Sequence, residues 1–137
     1  MTPVFADAGY LIALNSERDQ HHAQAVGHWK EFGRTRPTLV TTTFVLAEVI
    51  AVFNNRSGHA KAVEIGRRFF DSQGVRLVHP NEDVCRAAFD YLEARPDKEY
   101  SLADCISFVV MERLRIREAV SFDAHFQQAG FVLLPRS

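Results

Sequence analysis

Cysteine is scarce in this sequence: Cys85 and Cys105 are the only two in 137 residues. Both fall in stretches with helical periodicity and neither has metal-ligand spacing. That argues against a disulfide framework or a thiolate zinc site and predicts reduced, half-buried thiols. Long hydrophobic runs are missing too. The longest, Phe44 to Phe53, is interrupted by Glu48 and is too short to cross a bilayer, so no membrane is expected as a partner. Residues Met1 to Asp7 show no basic region followed by an apolar stretch and cleavage site, which makes the cytoplasm the expected location. Net charge is nearly absent, at -1 from 16 basic and 17 acidic residues. This argues against bulk electrostatic binding of nucleic acid while leaving room for local basic patches. A Gly-x-Ser-x-Gly elbow, a Gly-rich phosphate loop and a cysteine placed with a histidine are all lacking, which leaves no competing nucleophile motif. With no repeat, linker or low-complexity segment, residues 1–137 are expected to form a single domain.

What is present is an alternation of short apolar segments with amphipathic ones. Val4-Phe5-Ala6, Leu39 to Thr42, Val75 to Val78, Ala119 to Asp123 and Phe131 to Leu134 read as strands. Helices are expected over 8–14, 23–32, 43–53, 59–70, 82–92, 102–116 and 124–129, with Asn54 to Gly58, Pro96 and Gly130 as breakers. Hairpin dipeptides between the strands are absent, so the fold class is α/β with a parallel sheet covered by helices. His21, His22 and His28 fit no metal motif and are expected at the surface or at an interface.

Four carboxylates stand at positions that matter in such a fold. Asp7 and Asp123 end the first and fourth strands, and ligands of open α/β sheets bind at that edge. Asp104 opens a helix whose face is Leu102, Ile106, Val109, Val110 and Leu114; with Ser101 three residues before it, it also fits a capping box. Asp7 likewise fits a helix N-cap. Glu48 lies in a helix apolar nearly all round, which predicts a buried helix and a carboxylate that needs a salt bridge or a cation. Crowded carboxylates repel one another, and a hard divalent ion such as Mg²⁺ or Mn²⁺ relieves this by taking oxygen ligands. Such an ion hydrolyses phosphodiesters, which is nuclease chemistry.

The ordered set Phe5-Ala6-Asp7, Asp19-Gln20-His21-His22-Ala23, Thr42 to Val49 around Glu48, Ser101 to Cys105 and Val120 to Phe126 resembles the PIN-domain ribonucleases. Within them it is similar to the VapC-type toxins of toxin-antitoxin pairs, and the likeness covers the whole chain. The resemblance implies a three-layer α/β/α sandwich and Mg²⁺-dependent endonucleolytic cleavage of RNA. It makes Asp7, Glu48, Asp104 and Asp123 the metal-binding and catalytic quartet, with Ser101 supporting it. It also implies a homodimer and inhibition by a cognate antitoxin. One departure is Ala8, where many relatives carry Ser or Thr next to the first Asp. Arg113, Arg115 and Arg117, with Lys61, Arg67 and Arg68, are candidates to hold RNA or an acidic antitoxin. The other readings are a PIN-domain nuclease of RNA processing, a catalytically weak module that binds a protein partner, and a phosphoacceptor receiver. The last lacks a suitably placed lysine after a late strand.

Overall fold

In the computed structural model, which describes residues 2–35 and 37–136, the five apolar segments form strands β1 (Val4–Ala6), β2 (Leu39–Thr42), β3 (Val75–Val78), β4 (Glu118–Val120) and β5 (Val132–Leu134). They make one sheet in the order β3-β2-β1-β4-β5, and every neighbouring pair is parallel. Burial follows this order. Central β1 and β2 are buried at every position, whereas edge strands β3 and β5 keep an exposed residue each, Arg76 and Val132. Continuous apolar strands covered on both faces are the mark of a parallel sheet.

Seven helices connect the strands: α1 (Ala8–Asn15), α2 (His22–Gly33), α3 (Thr43–Ser57), α4 (His59–Asp71), α5 (Glu82–Glu93), α6 (Leu102–Leu114) and α7 (His125–Gln128). From β1 to β2 to β3 the chain moves across the sheet one way, and from β3 to β4 to β5 it returns the other way. Right-handed crossovers then put α1 to α4 on one face and α5 to α7 on the other, giving three layers. Contacts agree with this grouping, since α1 packs on α2 and α3, α3 on α4, and α5 and α7 on α6.

The structure differs from the sequence reading in three respects. β4 stops at Val120, so Ser121 to Asp123 lie beyond the sheet as a connecting turn. α3 is capped by Thr42, whose hydroxyl accepts from the Val45 N–H, and it runs through Asn54 to Ser57 until Gly58, at φ 95°, ends it. Finally, α3 is not a buried helix. Val45, Leu46, Val49 and Phe53 face the core, but Phe44, Ala47, Glu48 and Ala51 form an exposed stripe at helical spacing. Alanine on an outer face costs little, so apolar composition all round did not mean burial all round. The enclosed helix is α6, in which every residue from Cys105 to Met111 is buried.

Phe108 of α6 anchors the core on that side, with ring centroids 5.1 Å from Tyr100, 5.1 Å from Phe126 and 5.8 Å from Tyr91 and Phe131. Phe108→Ala is expected to cost about 3–5 kcal/mol, the range for emptying a packed aromatic site. Urea denaturation of the variant measures this, and a loss below about 1 kcal/mol would show that the site collapses freely.

Candidate active site

The strand order reverses between β1 and β4, and the crevice at such a switch point is where open α/β sheets bind ligands. The two strand ends are tied together there: the Asp7 N–H donates to the Val120 carbonyl at 3.0 Å. A cleft of about 550 Å³ opens at this edge, lined by Asp7, Glu48, Asp104 and Asp123 together with Ser101, Phe44 and Phe122 among others. All four acidic residues singled out from the sequence therefore share one cavity. No lysine or arginine lines it among the described residues.

Each acid is held differently. Asp7 is at the N-cap position of α1, but its side chain caps nothing; instead Oδ2 accepts from the Ser121 hydroxyl at 2.9 Å. The same hydroxyl oxygen accepts from the Asp123 N–H at 3.0 Å, so Ser121 links the first and last acids. Asp104 and Ser101 form the expected capping box: the Asp104 N–H donates to Ser101 Oγ at 3.0 Å, and the Ser101 N–H donates to Asp104 Oδ2 at 3.1 Å. That cap does not consume the carboxylate, whose Oδ1 has no hydrogen-bond partner among the described residues. Asp123 Oδ1 accepts from the His125 N–H at 2.9 Å, which fixes it at the start of α7. Glu48 stands at the exposed rim with no salt bridge among the described residues, so the burial expected of it and the salt-bridge alternative are both set aside.

His125 adds a contact that the sequence reading passed over. Its Nδ1 lies 2.9 Å from Asp104 Oδ2 and 3.4 Å from Asp123 Oδ1, within a group whose ligand-type atoms all fall inside 4.8 Å. Its edge packs against the Tyr100 ring, centroids 5.4 Å apart. With Nδ1 turned to the carboxylates, His125 steadies Asp104 and leaves the open donors of the cleft as oxygens. Such a set suits a hard divalent cation.

A model of the PIN domain matches residues 4–132. The chain belongs to the PIN-domain family. It is 33% identical over 129 residues to the 23S rRNA-specific endonuclease VapC20 of Mycobacterium tuberculosis, covering 94% of this chain and 95% of that one. A VapC ribonuclease of Archaeoglobus fulgidus is 28% identical over 129 residues, covering 88% and 76%. The crystal structure of the mycobacterial VapC20, described as a sarcin-ricin loop cleaving toxin, superposes with a TM-score of 0.85 at 32% identity, over 94% of this chain and 96% of that one. This PIN domain is thus of the VapC type in both sequence and fold.

Ser121 bears on the departure at Ala8. The hydroxyl missing beside Asp7 in the chain is supplied to Asp7 across the sheet edge, from the turn after β4. Serine two residues before a carboxylate at a strand end was the signal available for it. The histidines of the second helix region are not free surface groups either. His28 Nδ1 lies 2.7 Å from the Tyr10 hydroxyl, His22 Nδ1 lies 2.7 Å from the Ala13 carbonyl, and His21 stacks on Phe122 at 4.3 Å. They brace α1 and the cleft-lining Phe122 from behind.

Burial pushes the Asp7 carboxyl up to about 6, with Asp104 and Asp123 adding to the rise against the hydrogen bonds from Ser121 and Ala8. Glu48 is raised as well, by the cleft wall and then by Asp104. His125 is raised chiefly by its hydrogen bond to Asp104. These shifts act in one direction. Between about pH 4 and 6 the native state holds a proton on Asp7 that the unfolded chain releases, so metal-free stability falls as pH rises through that window. His125 continues the fall above its ordinary value, because its stabilising charge is lost as pH passes its raised pKa. Asp7→Asn keeps an acceptor for Ser121 and removes the charge. In EDTA the variant should match the parent near pH 4 and exceed it at pH 7.5 by on the order of 2 kcal/mol, after allowing for solvent screening. Thermal melts across that range measure the gap, and a gap that does not change with pH would contradict the assignment.

Proposed function

We propose that this PIN domain is a divalent-metal-dependent endoribonuclease, the toxin of a toxin-antitoxin pair, with Asp7, Glu48, Asp104 and Asp123 as its metal-binding and catalytic carboxylates. The observation that supports this most is the single cleft that all four line, free of any lysine or arginine among the described residues. The donors fit Mg²⁺ or Mn²⁺, since they are all carboxylate oxygens and the half-buried Asp7 carboxyl is held up near 6 chiefly by desolvation, with the Asp104 and Asp123 charges adding to it, a cost that a cation would relieve. A bound cation would supply Lewis acidity to a phosphoryl oxygen and offset charge developing on it. The chain's own part is positioning. Ser121 aims Asp7, the Ser101 cap and His125 aim Asp104, and the α7 backbone aims Asp123. Groups held this way need little rearrangement as the reaction proceeds.

The substrate class is RNA, and an rRNA stem-loop of the sarcin-ricin kind named for the mycobacterial relative is the first to test. A cognate antitoxin and a homodimer complete the reading. Among the described residues no helix is long and apolar enough to cross a membrane. Of the basic residues first suggested as RNA contacts, Arg113 is bound to Asp83 at 2.6 Å and Arg68 to Glu64, whereas Arg67, Arg115 and Arg117 are exposed with no carboxylate within 4.0 Å among the described residues.

Purified protein should cleave such an RNA with Mg²⁺ or Mn²⁺ and stop when EDTA is added. Asp104→Asn, which keeps the oxygen used by the Ser101 cap, should lose at least about 100-fold in rate, the upper range for disturbing even an outer-shell group. Its thermal midpoint should stay within about 3 °C of the parent. Expression of the parent, but not of the variant, should arrest growth. Cleavage that survives EDTA, or full activity in Asp104→Asn, would overturn the metal mechanism; cleavage without growth arrest would point to RNA processing instead.

A further inference from the structure

A second cleft, of about 640 Å³, is lined by Ile12, Asn15, Arg18, Val52, Arg56 and Lys61 among others. Its position relative to the acidic cleft is set by the same two helices. The acidic cleft takes Ala8 and Gly9 from the start of α1 and Phe44, Val45 and Glu48 from the start of α3. The second takes Ile12 and Asn15 from the end of α1 and Val52, Phe53 and Arg56 from the end of α3. The two therefore follow one another along the α1–α3 seam, acids at one end and cations at the other. Glu48 and Arg56 are eight residues apart on one helix, about 12 Å along its axis.

Charge gives this arrangement a use. The acidic cleft repels a polyanion, and one divalent ion offsets only part of its charge, so affinity for RNA has to come from cations outside it. Arg18 and Arg56 are exposed and have no carboxylate within 4.0 Å among the described residues. Lys61 is only loosely engaged, 3.9 Å from Glu64, and Glu17 is the one acid in the lining. Guanidinium groups present the fork that phosphate oxygens accept.

We propose that this second cleft is a phosphate subsite, in which Arg18, Arg56 and Lys61 hold the backbone of the RNA strand a few nucleotides from the bond lying in the acidic cleft. The assignment rests on the nuclease reading above. RNA is favoured over an acidic peptide because the α1–α3 seam runs from the acidic cleft to the cationic one, so a strand held in the first can continue into the second.

The test is binding of a short single-stranded RNA to Asp104→Asn protein as salt is varied, with and without Arg18→Gln and Arg56→Gln together. Loss of two phosphate contacts should weaken binding roughly tenfold at low salt and lower the slope of log K against log salt by about 1.4. Arg18→Lys with Arg56→Lys should keep most of the slope, and Arg86→Gln, on α5 away from the seam, should leave it unchanged. An unchanged slope and affinity in the Gln pair would overturn the subsite. So would a loss confined to an oligo-glutamate probe, which would mark the surface as a peptide site. Cleavage by the parent protein, assayed beside this, separates the two failures: a parent that cuts RNA while the Gln pair binds normally removes only the subsite, whereas a parent that never cuts removes the nuclease reading.

Discussion

The desolvation of carboxylates set close together at one edge of the sheet is the constraint on which this structure turns. Asp7 is driven up to about 6 by burial beside Asp104 and Asp123, and Glu48 is raised by the cleft wall and Asp104. A protein selected for stability alone has no reason to gather these groups without a basic partner in the lining. The strain is local, and the rest of the chain supplies a frame stiff enough to bear it: an all-parallel sheet buried on both sides and an α6 helix enclosed along most of its length.

The frame also explains why residues so far apart in sequence meet. A switch point arises wherever a doubly wound sheet reverses its order, and here it lies between β1 and β4. The turn after β1 delivers Asp7, the turn after β4 delivers Ser121 and Asp123, and α3 and α6 begin at the same edge with Glu48 and Asp104 near their starts. Small hydrogen-bonding groups then fix the acids. Ser121 spans Asp7 and Asp123, and His125 touches Asp104 and Asp123. Capping does not use up the Asp104 carboxylate, because one oxygen serves the helix and its companion stays open among the described residues.

Much of this was legible from the amino acids. The strands were readable because β1 and β2 are short continuous apolar runs, and the acids because they follow strands or open helices. What escaped notice did so for physical reasons. Glu48 looked buried because hydrophobic composition says nothing about which side of a helix faces out, and the exposed stripe of α3 happens to be Phe and Ala. That helix outlasts Asn54 to Ser57, expected to break it, because polar residues can continue a helix until Gly58 ends it. Ser121 and His125 carry at most a weak local signal; their meaning comes from partners 114 and 21 residues away. The histidines of α2 and its approach are held by Tyr10, Ala13 and Phe122, contacts that no local pattern encodes.

The claim that carries the account is that these four side chains share one divalent cation, and Mn²⁺ soaked into crystals and located by its anomalous scattering tests it most directly. The account predicts a single strong site in the acidic cleft, within bonding distance of oxygens from the Asp7, Glu48, Asp104 and Asp123 group directly or through water. No peak there at saturating Mn²⁺, or one held by His125 away from Asp7 and Glu48, would contradict it.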